Sequence, residues 1–442
     1  MKFKETARPY KISELANREW KEFAIYTISH RAIPNMHDGL KPVQRMFLFS
    51  SLVNSAKEFK KVSAVAGQLS NYGYNHGEAS GASTGKLMAA NWNNNLCLIE
   101  GRGSFGTRLI QEAGADRYVY TRVHENFYKY VKDIDLSPMH KDPEHEPPAF
   151  YLPVIPLVLV NGAKGIATGF ATNILPRSVK TVTDACIEYI TSGKIDKKMP
   201  IGFPEFKGNT YYDPANDRYV SEGIYKRPSK TRVVIEEVPY GFDREGYIKI
   251  LDKLEDLGDI VGYDDLCDSN GFAFDVKLKN ANQNWTDQDI IKNFKLSKTY
   301  SENLNVIDEN DQLREYSDAR QLVKDFCDYR MNILQKRIAL RISEQEEEVR
   351  WLTVKMQFIR AVLDGDIQFK NRKKTDVVQQ IEQHTDAIDG DTDRLLRINI
   401  LSLTDEMVKE LVRQKQAANR HLAYWKKTKP KDQFIEDLDQ LK

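Results

Sequence analysis

Towards the C-terminal end, apolar positions recur at helical spacing over a longer stretch than a compact globule needs. Leu334, Ile338, Ile342, Val349, Leu352, Met356, Ile359 and Leu363 follow one another at steps of three, four or seven, with Gln345 at the seam position between Ile342 and Val349. A stripe of about eight turns flanked by charged residues predicts a coiled-coil arm. Asp364 and Gly365 end it. A second helix is predicted after Thr404, which can cap it while Asp405 and Glu406 oppose the N-terminal dipole. Met407, Leu411, Ala418, Leu422 and Trp425 form its stripe and Pro430 marks its end. Two antiparallel helices joined by roughly forty residues predict an arm with something folded at its tip.

Upstream the pattern changes twice. Residues 161–312 carry strand-like runs, TRVVIEEVP at 231–239 and FAFDVKL at 272–278, separated by Gly, Asp and Asn turns. Residues 1–160 mix short helical patterns with Gly- and Asn-rich loops such as NYGYNHGEASG. Together with 313–442 this predicts an α+β protein in three successive regions. The longest apolar run, 149–160, is broken by Pro153 and Pro156 and is too short to cross a bilayer. The first twenty residues lack the apolar core of a secretory signal. Four scattered cysteines form no C-x-x-C pair, which argues against a zinc knuckle or a disulfide framework and fits an intracellular setting. The net charge of +1 conceals an asymmetry. Residues 1–125 hold 17 Lys+Arg against 11 Asp+Glu, net +6, so the remainder is −5. A polyanionic partner for the N-terminal third is consistent with this, as is an ordinary asymmetric surface.

Three segments of that basic third could carry chemistry. GRGSFG at Gly101–Gly106 satisfies G-x-G-x-x-G, but no βαβ pattern surrounds it and a dinucleotide site is not expected. QEAGADRYVYTRV places Arg117 directly before Tyr118, with Tyr120 and Arg122 close behind. From residue types alone this is a half-buried strand with exposed arginines. For it to hold a tyrosine nucleophile, nearby positive charge or a base is needed, because forming a phenolate of pKa ~10 at pH 7 costs roughly 4 kcal/mol. His76 stands alone in the polar stretch YNHGEAS, where an ordinary loop histidine is equally expected.

The segments RAIPNMHDGLKPVQR, YNHGEAS, GRGSFGTR, AGADRYVYTRV and VNGAKGIATGFATNILP occur in one chain in this order. Together they resemble the breakage-reunion subunit of type IIA topoisomerases. LSLTDEMVKEL and YWKKTKPKDQFIEDLDQL extend the likeness to the eukaryotic-style coiled-coil gate, so it covers nearly the whole chain. The resemblance implies a winged-helix DNA-binding domain in 1–160, a tower domain in 161–312, and a coiled-coil arm ending in a dimer gate in 313–442. It implies that each Tyr118 of a homodimer attacks one strand of double-stranded DNA, giving a 5′-phosphotyrosine link. Position by position, Arg117 corresponds to the arginine that stabilises the scissile phosphate, and His76 and Arg31 to basic residues of the same pocket. Lys41 and Arg45 correspond to phosphate contacts, and Ile174 to an isoleucine that wedges between base pairs. Tyr74 and Asn75 stand where relatives usually have histidine or proline, and Tyr120 is a rival nucleophile.

The resemblance also implies Mg2+ and ATP. No metal cluster is legible, since Asp133 and Asp135 read as a solvated turn, and there is no GxxxxGK[ST] loop. Both groups are therefore expected on a separate ATPase and metal-binding subunit. No further β-rich domain follows the gate helices, so relaxation and decatenation are expected rather than introduction of negative supercoils. The alternatives are a noncatalytic DNA-binding scaffold and a coiled-coil interaction protein without a DNA role.

Overall fold

A computed structural model of the chain describes residues 11–388, 390–399, 401 and 403–441. It divides into two compact units, one comprising the residues up to Arg330 together with those from Asp437 onward, the other Met331–Glu436.

The first unit begins with a helical run, 12–32, in which α-helical turns alternate with wider π-helical turns at Ala16–Trp20 and Ile28–Ala32. Helix α1 (Pro42–Asn54) starts where Pro42 can stand without a backbone donor, and the Gln44 side chain accepts the Lys41 N–H at 2.8 Å. Phe47 of α1 is fully buried and reaches helix α3 (Glu78–Met88) at Gly85. A Cβ there would lie 2.1 Å from the Phe47 ring, so only glycine permits the approach. The short helix α2 (Val62–Ala66) packs beside them. Three strands complete this part, β1 (Lys60–Lys61), β2 (Ile99–Arg102) and β3 (Tyr120–Val123), antiparallel in the order β1-β3-β2. Their inner face is Ile99, Thr121 and Val123, all buried. Period-2 alternation therefore turns Tyr120 and Arg122 outward.

The region expected to be rich in strands is so. Hairpin β4 (Ala163–Ile166) and β5 (Ala171–Ile174) comes first, then helix α4 (Val179–Ser192). Strands β6 (Asn209–Asp213) and β7 (Arg218–Glu222) lead to β8 (Ile224–Ser229) and β9 (Arg232–Glu237). Helix α5 (Arg244–Asp256) precedes β10 (Ile260–Asp265) and β11 (Phe274–Leu278). The two runs singled out in the sequence, β9 and β11, are direct antiparallel neighbours, with Phe274 opposite Ile235 and Val276 opposite Val233. These four side chains are fully buried beneath α5, whose Tyr247 hydroxyl donates to the Phe294 carbonyl at 2.7 Å. Strand β12 (Ser297–Tyr300) joins β7 and β6, and β13 (Leu304–Ile307) pairs with β14 (Leu313–Tyr316). No compact-unit boundary falls near residue 160. Arg108 donates to Glu237 at 2.8 Å inside a surround of Phe206, Tyr240 and Phe272, tying the two regions together through a buried ion pair.

The long helices predicted towards the C-terminal end form. Helix α6 (Ala319–Leu363) is 45 residues long, beginning well before the stripe, and closes at Asp364 with Gly365 at φ +86°. Helices α7 (Lys374–His384) and α8 (Asp391–Leu396) occupy the connecting segment. Helix α9 (Asp405–Lys427) is capped by the Thr404 hydroxyl, which accepts the Met407 N–H at 3.2 Å. Val408, Leu411 and Ala418 of α9 share one apolar cluster with Leu352, Val354 and Phe358 of α6 and with Val377, Ile381 and Leu395 of α7 and α8. Gln345 donates to Glu348 while its carbonyl oxygen is buried without a partner among the described residues, a polar break in the seam. Pro430 does more than mark an end: it opens helix α10 (Pro430–Asp439), using its fixed φ at a first-turn position.

Candidate active site

Tyr118 lies in the turn just before β3, with 68% of its surface exposed, while the adjacent Val119 is buried. The opposed orientations have a local cause. Val119 is pinned inward between Gly103 and Gly114, where added Cβ atoms would fall 3.2 and 3.1 Å from its Cγ1. The GRGSFG segment thus serves as a seat for Val119, and β2 runs antiparallel to β3, which excludes the dinucleotide-binding arrangement. The loop is fixed by Gly114 N–H to Ser104 O (3.0 Å), Ser63 N–H to Asp116 O (3.2 Å) and Val62 N–H to Val119 O (3.0 Å). Arg117 is exposed and its guanidinium lies over the Tyr118 ring, 4.8 Å from the centroid. A phenol in this position is open to solvent and next to a permanent positive charge.

Arg31 and Lys41 come together elsewhere, lining a cleft of ≈ 360 Å³ with Thr27, Ile166 and Thr168. The Lys41 ammonium donates to the Lys164 carbonyl at 2.7 Å, and burial holds its pKa below the usual lysine value. The wall opposite is the β4–β5 hairpin, brought in by Gly165, where a Cβ would meet the Ala32 carbonyl at 2.0 Å. This hairpin also carries Ile174, which is 3% exposed, at the base of the hairpin opposite Ala163. The exposed isoleucine is Ile166, at 82%, beside the turn Ala167–Phe170. The sequence did contain a signal, because Ile166 precedes a Gly-containing turn whereas Ile174 leads into the apolar Leu175–Pro176.

Arg45 lies inside the fold. It is 7% exposed, and its guanidinium is engaged by Asp38 (2.7 and 3.0 Å) and the Leu40 carbonyl (2.9 Å). Asp38 also accepts the Leu40 and Tyr151 backbone N–H groups, so the pair is a buried structural element rather than a free cation facing a ligand. His76 is exposed, and its Nε2 lies 2.5 Å from the Tyr26 hydroxyl. Tyr26 and His30 rings are 5.8 Å apart, His30 and His140 6.3 Å, and His140 stacks on His145 at 4.4 Å. Burial, then the neighbouring His145, lowers the pKa of His140. The structure pairs Tyr118 with Arg117, Arg31 with Lys41, and His76 with Tyr26. Of the Asp133–Asp135 pair, Asp135 is exposed as expected, while Asp133 is turned inward to Arg330 at 2.7 Å. Among the described residues no group of three or more His, Cys, Asp or Glu is placed to hold a metal ion. No helix among them is long and apolar enough to cross a membrane.

Comparison with known proteins fixes the class. Residues 31–440 match the A-subunit family of DNA gyrase/topoisomerase IV, and the chain belongs to it, as a breakage-reunion subunit of the type IIA topoisomerases. It is 39% identical to the DNA topoisomerase medium subunit of Enterobacteria phage T4, over 98% of both chains. It is 30% identical to DNA topoisomerase 2 of Arabidopsis thaliana, covering 97% of this chain but 33% of that one. The crystal structure of the Plasmodium falciparum topoisomerase II DNA-binding, cleavage and re-ligation domain superposes with a TM-score of 0.87 at 26% identity, over 97% of this chain and 63% of the other.

Proposed function

We propose that Tyr118 is the nucleophile with which this subunit cuts and rejoins double-stranded DNA. Its exposed ring, turned out by the inward Val119 and crossed by Arg117, is the observation that carries the assignment. The phenolic oxygen attacks a backbone phosphorus, the hydroxyl proton is lost, and the bond to the 3′ oxygen breaks as that oxygen gains a proton. The 5′ end is then held as phosphotyrosine, and attack by the 3′ hydroxyl reverses the step. A covalent intermediate conserves the phosphodiester energy and keeps the ends from diffusing away. Arg117 offers charge-assisted hydrogen bonds to the phosphate, favouring the more negative transition state.

DNA lies across the cleft, with Arg31 and Lys41 on its phosphates and His76 beside the scissile one. Ile166, in place of Ile174, enters between base pairs at the β4–β5 turn. The helices and three strands around Tyr118 act as a winged-helix module, 161–312 as a tower, and 313–442 as a coiled-coil arm with the dimer gate. Two copies of the chain act together, one Tyr118 per strand. ATP and Mg2+ are carried by a separate partner protein, a reading supported by the likeness to a topoisomerase medium subunit.

The test is trapping of the cleavage complex: the chain, its ATPase and metal-binding partner, magnesium and end-labelled DNA, quenched in detergent. Wild type and Tyr120→Phe should retain label on the protein and Tyr118→Phe should lose it. Loss in Tyr120→Phe alone would move the nucleophile by two residues. Absence of any adduct from a folded, DNA-bound wild-type complex would favour the scaffold reading.

A further inference from the structure

The outward face of the three-stranded sheet carries more than Tyr118. Residues directly opposite one another on antiparallel strands share a face, and along one strand every second residue does. Lys61 of β1 and Arg102 of β2 are both opposite Tyr120, one on each side of it. The next row along the same face is Arg122 with Glu100, joined at 2.7 Å. Phe59 shares this face, since the guanidinium groups of Arg122 and Arg102 lie 4.5 and 5.9 Å from its ring centroid. Going back two residues from Tyr120 gives Tyr118.

The two rows differ in how their charge is used. Arg122 is neutralised by Glu100, whereas among the described residues neither Lys61 nor Arg102 is in an ion pair, and both are exposed. Phe59 restrains Arg102 without neutralising it, which reduces the freedom lost when the arginine takes a ligand. Two cations bracket one tyrosine, and the row stands two residues along the chain from the nucleophile, which lies in the turn leading into β3. Two residues of chain reach at most about 7 Å, on the order of the separation of successive phosphates on a nucleic acid backbone.

We infer that Lys61 and Arg102 form a clamp for the phosphate adjacent to the scissile one, on the strand that Tyr118 attacks, with Tyr120 as the spacer between them. The inference rests on the assignment of Tyr118, and gives that site a second phosphate-binding position. By holding the neighbouring phosphate the clamp fixes the register of the strand over the phenol, so its loss acts on binding and on the yield of cleavage without removing the nucleophile.

The experiment uses the full chain carrying Tyr118→Phe, so that DNA binding is read without cleavage, and measures duplex affinity by anisotropy between 50 and 200 mM salt. Each lost phosphate contact lowers the slope of log affinity against log salt by about 0.9. Lys61→Gln with Arg102→Gln should reduce the slope by at least that amount, Lys61→Arg should retain it, and Lys197→Gln, an exposed lysine far along the chain, should leave it unchanged. A duplex with a single neutral methylphosphonate next to the scissile position should weaken binding to the Tyr118→Phe parent and have little further effect on the double variant. An unchanged slope, or a methylphosphonate penalty equal in both proteins, would overturn the clamp. Failure of the parent chain with Tyr118 intact to form an adduct would overturn the assignment of Tyr118 instead, a separate result.

Discussion

Ile166 and Ile174 lie on one hairpin and make opposite predictions when truncated. Ile174 is 3% exposed, so Ile174→Ala removes buried methylenes and leaves a cavity, at a cost of roughly 2–5 kcal/mol in folding stability. Ile166 is 82% exposed, and its truncation should change stability by no more than about 0.5 kcal/mol. The side chain that is solvated in the free protein is the one with burial still to gain from DNA. Fully burying an isoleucine is worth about 1.5–3 kcal/mol, so with four-fifths of that in reserve Ile166→Ala should weaken binding to bent DNA by roughly eightfold to sixtyfold. Chemical denaturation gives the first quantity. Fluorescence transfer between dyes at the ends of a short duplex, titrated with each variant, gives the second as loss of the bent state. Ile166→Ala that folds and bends DNA like the wild type would refute the reasoning, as would Ile174→Ala that unfolds like the wild type but no longer bends DNA.

Arg45→Ala should cost about 3–5 kcal/mol, because it strands the Asp38 carboxylate, 2% exposed, without its cation; the urea midpoint checks this, and a loss confined to DNA affinity would contradict it. Thr404→Ala removes the acceptor for the Met407 N–H and should destabilise the start of α9 by about 1 kcal/mol, with Thr404→Ser close to wild type, read as amide exchange over residues 405–411. Burial and His145 hold His140 below the ordinary histidine value of ~6.5, so just below that pH the unfolded chain binds a proton that the folded chain does not. Stability is therefore full above pH ~6.5 and declines as pH falls through that value; His140→Gln should flatten the decline in denaturation midpoints measured from pH 7.5 to 5.5.

Much of the arm was readable because its signals are local. The stripe to Leu363, the stop at Asp364–Gly365 and the Thr404 cap depend on neighbours within a turn or two, and each is found at its expected place. Strands β9 and β11 were legible one by one as apolar runs, although their pairing across forty residues was not. The site was read less evenly. Arg117 and Tyr118 were picked out as a dipeptide, but what turns Tyr118 outward is Val119 packed on two glycines from different segments. The buried pairing of Arg45 was not legible because a basic residue carries no mark of its partner, and Asp38 is seven residues away on the other side of the α1 N-terminus. The burial of Ile174 was not legible for the related reason that strand period alone does not say which end of a hairpin is the tip. Contacts that link the regions on either side of residue 160, such as Arg108–Glu237, are invisible until the chain is folded.

The inward Val119 also bears on how this segment can evolve. Side chains alternate faces along β3, so a one-residue slip would turn Tyr120 and Arg122 towards the interior and expose Thr121 and Val123, and would move Val119 off its seat on Gly103 and Gly114. Point substitutions on the outward face can adjust the enzyme gradually, one contact at a time. A single-residue insertion or deletion between Gly114 and Tyr120 has no such gradual form, because it reroutes the loop that seats Val119 on Gly103 and Gly114 and turns Tyr118 outward. Variation in length should therefore be excluded from the six peptide bonds after Gly114, and an invariant length there should accompany the nucleophile in a working subunit.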